Sequence, residues 1–350
     1  MENANLNLML DEMNLETAQL SGSDGGSILA CDAGARVLRL TGRSGHDFFW
    51  MNPSLAGGNV VDGDPATGWR NMGGDRTWIG PESDVHICDL QDPWNTYRVP
   101  EACDPGCYRI TVVGEGIGLT SEFSLRNHRL GSDSRLRVEK RVTAVANPLR
   151  EMEADAPLLS AEYIGYEQST TLSLLSEPDR GERFGLWNLI QLELPTEMLV
   201  PLIRRARPHT YFGLENTAQM TLSDDLVRFR ADGSEMRKIG IKADAVTGRI
   251  GSLRELCDGT WMLIVRSIET GRLADYVDTP WDRLDDVGYA TQCFSDGGGA
   301  ESFAELEYHT PGVGCGTGTA SRTDCSRLWA FRGDRSVIRK IACLLMNTSI

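Results

Sequence analysis

Short runs in which apolar and polar residues alternate recur along most of this chain. Each is closed off by Gly, Asp, Asn or Pro, and residues 36–40, 108–113, 136–142, 170–175, 226–229, 261–265 and 303–308 are examples. A period of two marks a strand with one buried face. Frequent turn residues between such strands predict antiparallel sheets packed as a large sandwich or barrel. A parallel α/β fold would need helical crossovers, and few segments offer one. The exception lies at the start. Leu6, Leu10, Met13 and Leu20 are spread among acids and amides as on an amphipathic helix over residues 5–20, which the Ser-Gly-Ser-Asp-Gly-Gly stretch at 21–26 then breaks. There is no internal repeat, low-complexity tract or clear linker, and residues 151–157 read as a polar surface loop. The expected organisation is a helical leader over 1–25 and one β domain over 26–350. A chain of 350 residues is long enough to bury a core without metal or disulfide staples.

Charge narrows the partners. The 35 basic residues face 50 acidic ones, for a net charge of −15. Phosphate backbones and anionic lipid would repel such a chain, so neither nucleic acid nor a membrane surface is the expected partner. No stretch approaches the roughly 20 apolar residues that span a bilayer. The opening Met1-Glu2-Asn3-Ala4 runs into Asp11, Glu12 and Glu16, without the basic start and apolar run of an export signal. A cytoplasmic location is therefore expected, although an exported chain lacking its leader would read the same way. The nine cysteines are odd in number and scattered. Cys103 and Cys107 bracket an Asp-Pro-Gly turn, where free thiols, half a metal site or a small disulfide loop are the alternatives.

The segment from Phe303 to Pro311 carries the most chemistry. On a strand, Phe303, Glu305, Glu307 and His309 share one face, with Ala304, Leu306 and Tyr308 on the other. Two carboxylates and an imidazole in a row are costly to bury unless they bind something, and neighbouring carboxylates raise one another's pKa, which suits acid–base work. A solvated strand face is the alternative. The glycines of Asp296–Gly299 allow loops to approach closely.

A second segment runs from Asn71 to Glu82. Its paired glycines let the backbone turn sharply, Asp75, Arg76 and Glu82 offer hydrogen bonds, and Trp69, just before it, and Trp78 offer flat apolar faces. A sugar has hydroxyls round its edge and C–H groups on its faces, so these types suit it; a structural turn with a core tryptophan is the alternative. The segment lacks the Gly-Lys-Ser/Thr ending of a phosphate loop. A third segment, Pro208-His209-Thr210-Tyr211-Phe212-Gly213-Leu214, reads on its own as a half-buried histidine among aromatics. In a fourth, Arg126 and His128 share a face if the chain there is a strand, with an exposed basic turn as the alternative. His46 and His86 stand alone.

Glu305, Glu307 and His309 are metal-ligand types, but no His-Glu-x-x-His or calcium-loop spacing accompanies them, and neither metal nor cofactor is expected. The glycine-rich run from Gly312 to Gly318 has no βαβ unit round it and is not read as a dinucleotide site. No nucleophile elbow is present.

At three of its segments the sequence resembles the galactose mutarotase-like superfamily, which includes the aldose 1-epimerases, and within it an uncharacterised bacterial branch. The motifs are Gly73–Glu82, the Gly-Leu-Trp-Asn-Leu of Gly185–Leu189, and Glu305–Glu307, in that order. The resemblance implies an antiparallel β-supersandwich with a sugar-binding face. It also implies an epimerase or mutarotase acting at the anomeric centre, with a small saccharide as partner and no cofactor. By resemblance the base is Glu307, with Glu305 as its rival. The acid is His209, in His-Thr-Tyr-Phe-Gly-Leu, with His309 as its rival. Gly213 stands where that motif has Asn, and the usual upstream Asn-Arg element is missing. Arg70, Asp75, Arg76, Trp78, Glu82, Arg126 and His128 are the substrate-binding candidates. A non-catalytic carbohydrate-binding protein and a carbohydrate lyase or hydrolase remain open, the latter with Glu82 opposite Glu307 as its carboxyl pair. Oligomeric state cannot be read from the chain.

Overall fold

The structure, a computed structural model, describes residues 3–61, 63, 69–152, 155–177, 181–213, 219–299 and 302–350. Two ten-stranded antiparallel sheets dominate it. In the first, the spatial order is Thr17–Ser21, Ser27–Cys31, Arg36–Thr41, Asp75–Gly80, Arg183–Leu192, Ala304–His309, Tyr289–Asp296, Met236–Lys242 and His209–Phe212, with Val313–Gly314 pairing beside Arg183–Leu192. The second includes the long neighbouring strands Gly116–Asn127, Ser132–Ala144, Glu162–Leu174 and Ser321–Gly333. This is the expected mainly-β supersandwich.

Alternation along each strand decides what faces what. Leu306 and Tyr308 join a core with Ile239 and Ile241 of their own sheet and with Met198, Ile264 and Leu328 of the other. Glu305, Glu307 and His309 therefore project from the opposite face. They are nonetheless almost fully buried. The Glu82–Val85 and Pro93–Thr96 helices and the segment through Asp278 and Trp281 contribute the residues that cover them.

A polar layer lies between the sheets. Asp75 accepts hydrogen bonds from Arg266 and Tyr166, all three fully buried. Lys140 donates to the Ala35 carbonyl at 2.8 Å and to Thr77 at 3.0 Å. Burial pushes the Lys140 ammonium down to about 8, with Asp75 opposing that shift.

The seven sequence runs all fall on strands and overrun them by at most one residue, although 136–142 and 170–175 cover only part of longer strands. Two helical readings need correction. The first helix covers Asn3–Glu12 only; Asn14 has a left-handed backbone (φ 55°), and Thr17–Ser21 then pairs with Ser27–Cys31 as a hairpin. At the other end, the helix Arg335–Met346 was not anticipated; it buries Ile338, Ile341, Ala342 and Leu345 against the second sheet. The glycine-rich 312–318 run leads into the strand Ser321–Gly333. All nine cysteines are free, Cys103 buried and Cys107 exposed. Among the described residues no helix is long and apolar enough to cross a membrane.

Candidate functional site

On the first sheet, away from the second, lies a cavity of about 280 Å³. That is near the lower end of small-molecule pockets, roughly 300–1,000 Å³. Strand register explains its floor. Arg76 and Glu307 both pair with Leu189, while Trp78 and His309 both pair with Trp187. In the next row Glu305 pairs with Phe294, which pairs with Lys238, which pairs with Phe212. Side chains in these rows share one face. They bring two cations and two carboxylates from strands far apart in the chain to one place. Glu82 enters from above, on the first turn of the Glu82–Val85 helix.

Lys238 is the hub. Its Nζ lies 3.2 Å from Glu82 Oε2, 3.4 Å from Glu307 Oε2 and 4.6 Å from the centre of the Trp187 ring. Asp278 stands behind it, accepting the Glu82 backbone N–H at 3.0 Å, the Gln292 amide at 2.7 Å and the Tyr211 hydroxyl at 3.2 Å. Trp187 Nε1 donates to Glu307 Oε2 at 2.7 Å, while Glu307 Oε1 is buried and takes no hydrogen bond.

Desolvation governs the titration here. Burial raises the Glu82 and Asp278 carboxyls, and the Lys238 charge only partly opposes it. Burial lifts Glu307 up to about 8, against Lys238 and with the help of the Glu305 and Glu82 charges. Burial alone would lower Lys238, but Glu307, Glu82 and Asp278 outweigh it and hold the ammonium above its ordinary range. One ammonium cannot neutralise three carboxylates, so the cluster keeps a proton at neutral pH.

Arg76 forms a second pair, its Nη2 lying 2.6 Å from Glu305 Oε1. The guanidinium carbon lies 4.2 Å from the Trp78 ring centre and 4.8 Å from that of Trp69. Arg76 Nε and Nη1 are buried without a hydrogen-bond partner. Both indoles are anchored from below. Asp104 Oδ2 accepts Arg36 Nη2 at 2.5 Å and the Nε1 atoms of Trp69 and Trp78 at 3.2 Å each. Asp104 thus positions the aromatic pair under Arg76. Asp104→Asn keeps the shape but removes the counter-charge of a fully buried arginine, at an expected cost of about 3–5 kcal/mol. The urea-unfolding midpoint measures it, and an unchanged midpoint would deny Asp104 that role.

Of the residues singled out from sequence, the cavity is lined by Trp69, Arg76, Trp78, Glu82, Phe303, Glu305 and Glu307. The others lie elsewhere. Asp75 alternates to the inner face, onto Arg266. Arg70 is half-buried and does not line the cavity. Arg126 pairs with Asp133 at an exposed position, and His128 lies beside Cys88. His309 stacks behind Trp187 (5.5 Å between ring centres, 16° apart), with Nε2 3.6 Å from Asp278. Burial, reinforced by Lys238, holds its pKa well below the ordinary histidine value, so its imidazole is neutral at pH 7.

His209 shares a row with Glu307, but through Gly240 and Gln292. That is three strand spacings, roughly 14 Å. It packs instead on Tyr211 and Tyr289. Leu214, the end of its motif, lies outside the described residues. Lys238, Asp278, Trp94 and Trp281 escaped the sequence reading, and Phe212 entered it only as an aromatic in the His209 segment. Lys238 left one trace, in that Lys238, Gly240 and Lys242 alternate with Ile239 and Ile241. Among the described residues no group of three or more His, Cys, Asp or Glu is placed to hold a metal ion.

Comparison with known proteins bears on the fold. A model for a family described as of unknown function (DUF6786) matches residues 5–350. No curated protein matches the chain. Among solved structures, a protein from Escherichia coli K12 provisionally assigned as an aldose 1-epimerase is similar at 9% identity, covering 91% of this chain and 99% of that one with a TM-score of 0.51. The Slr1438 protein from Synechocystis sp. PCC 6803 is 11% identical over 90% of this chain and 96% of its own, at a TM-score of 0.49. Galactose 1-epimerase from Lactobacillus acidophilus NCFM is 9% identical over 91% and 95%, at 0.43. At such identities the likeness is one of fold, and the first of these shows that fold to be galactose mutarotase-like.

Proposed function

We propose, for a chain that belongs to the DUF6786 family, that the cavity binds a sugar and that Glu307 moves the proton of its anomeric hydroxyl. One observation carries this reading. Glu307 Oε1 is a buried carboxyl oxygen without a partner, in an aromatic-walled cavity, on a group whose proton affinity is raised to about 8. A carboxylate stabilised as strongly as an exposed one would be a poor base toward a hydroxyl. Raising its pKa towards the working pH makes it a better one.

The chemistry needs two proton positions. Glu307 takes the proton from the anomeric oxygen as the bond from the anomeric carbon to the ring oxygen breaks and an open-chain aldehyde forms. The ring oxygen gains a proton from Lys238, whose ammonium sits between Glu82 and Glu307 and has a third N–H to give. Rotation about the bond next to the aldehyde and return of both protons closes the other anomer. His309 is neutral and His209 distant, so neither fills the acid's place in this reading.

The test follows anomeric exchange of several hexoses by polarimetry or NMR across pH. The working form of Glu307 is ionised, so kcat/KM should rise with pH through about 8 and level off above it. A flat profile, or one that falls over that range, would remove Glu307 as the base. Sugar affinity without faster exchange would favour the binding-protein alternative.

A further inference from the structure

The two ends of the cavity differ in chemistry. Arg76, Glu305, Glu307, Glu82 and Lys238 are gathered at the inner end. The indoles there are already covered by the protein. Trp78 lies under Arg76 and stacks with His86 (5.3 Å, 29°), and Trp187 lies under Lys238 and stacks with His309. Both are about 98% buried or more, so neither offers a sugar a free face.

From Trp69 the rings continue outward in contact. Phe303 is 6.2 Å away between centres, Phe294 a further 6.1 Å, Phe212 a further 6.1 Å and Trp94 a further 5.0 Å. Trp281 completes the outer end, 5.2 Å from Trp94 and nearly parallel to Phe212 (5.7 Å, 10°). Among the described residues no Lys or Arg lies over Trp94, Phe212 or Trp281, and Trp94 is 54% exposed. One pyranose has two faces and cannot use this whole series.

We propose, resting on the sugar reading above, that Trp94, Trp281 and Phe212 form a subsite for a second pyranose ring, and that the ligand is a reducing disaccharide or longer oligosaccharide. Its reducing-end ring lies at Glu307, since only that ring has a free anomeric hydroxyl. The second ring lays its C–H face on the outer aromatics and leaves its hydroxyl edge in water. Among the described residues those that line this end are apolar: at a wet rim hydroxyls need no polar partner, whereas the apolar face gains by leaving water. At the buried end the polar groups are present because water is not.

The test is equilibrium affinity, by calorimetry or NMR titration, for glucose and galactose against lactose, maltose and cellobiose. It compares the wild type with Trp94→Ala and Trp281→Ala. At least one disaccharide should bind tenfold or more tightly than its reducing-end monosaccharide, and that ratio should fall towards one in both variants. The subsite is overturned if no disaccharide is preferred, or if the preference survives both substitutions. Monosaccharide binding and exchange would then still support the inner site. If no sugar binds at all, the sugar reading falls and the subsite falls with it.

Discussion

Glu307→Gln should slow anomeric exchange by about 10²–10⁴-fold, the usual worth of a positioned proton-transfer group, on every sugar the wild type accelerates. The substitution is nearly isosteric. The amide oxygen can still accept from Trp187 Nε1, now 2.7 Å from Glu307 Oε2, so the binding surface survives. Stability should move the other way, which separates lost chemistry from lost fold. The Glu307 pKa rises from 4.5 unfolded to about 8 folded. Below the lower value both states hold the proton and nothing is lost. Between the two values the unfolded chain releases it while the native state keeps it, so wild-type stability falls as pH rises across that window. A glutamine has no such slope. Urea midpoints at pH 5 and pH 8 should therefore show the variant gaining on the wild type at the higher pH. Unchanged exchange rates would sink the assignment of Glu307. Lost exchange with a collapsed midpoint would mean that folding, not proton transfer, had been measured.

What could be read from the chain follows from the range of the physics involved. Strand periodicity is local, so the acidic face of Ala304–His309 could be read residue by residue, with Leu306 and Tyr308 placed opposite. The neighbours of that face were beyond reach. Ala304–His309 pairs with Arg183–Leu192, more than a hundred residues earlier, and nothing in either segment states the pairing. Lys238 belongs to a third strand whose alternation was visible but whose place in the sheet was not. His209 shows the converse. Its local motif resembles that of a catalytic histidine, yet register sets it three strands from Glu307.

Within the Asp75–Gly80 strand, a single step separates Arg76, in the cavity, from Asp75, in the core with Arg266. Their chemistry alone ranks them alike as ligands. Trp78 reads from sequence as a sugar platform. Its faces are instead covered by Arg76, two residues earlier on the same strand face, and by His86, which arrives only once the helix Glu82–Val85 folds over the sheet. The helix Arg335–Met346 did carry its signal, with Ile338, Ile341, Ala342 and Leu345 at helical spacing.

Lys238→Met should be the most damaging single change at this site. It leaves Glu82, Asp278 and Glu307 buried round an apolar side chain. Removing one partner of a buried ion pair costs about 3–5 kcal/mol, because the other charge stays uncompensated. The pH dependence follows from the same cluster. In the wild type the Lys238 pKa is raised, so its stabilising effect persists through neutral pH and fades only as pH climbs past the ordinary lysine value. Without the ammonium, burial would push all three carboxyls up further. At low pH they are protonated both folded and unfolded, and the loss is mild. As pH passes the unfolded carboxyl values the unfolded chain ionises freely while the native state cannot, and the deficit grows. Urea unfolding at pH 5 and pH 8 should show the gap between variant and wild type widening at pH 8. A gap of equal size at both would mean that Lys238 contributes packing on Trp187 rather than charge. Lys238→Arg then separates the two parts of its role. A guanidinium keeps a charge near the carboxylates but presents its N–H groups in a rigid planar fork, so it cannot aim one at the ring oxygen as the compact ammonium does. Stability should largely return while proton delivery to the ring oxygen does not, and full recovery of exchange in that variant would place the acid elsewhere.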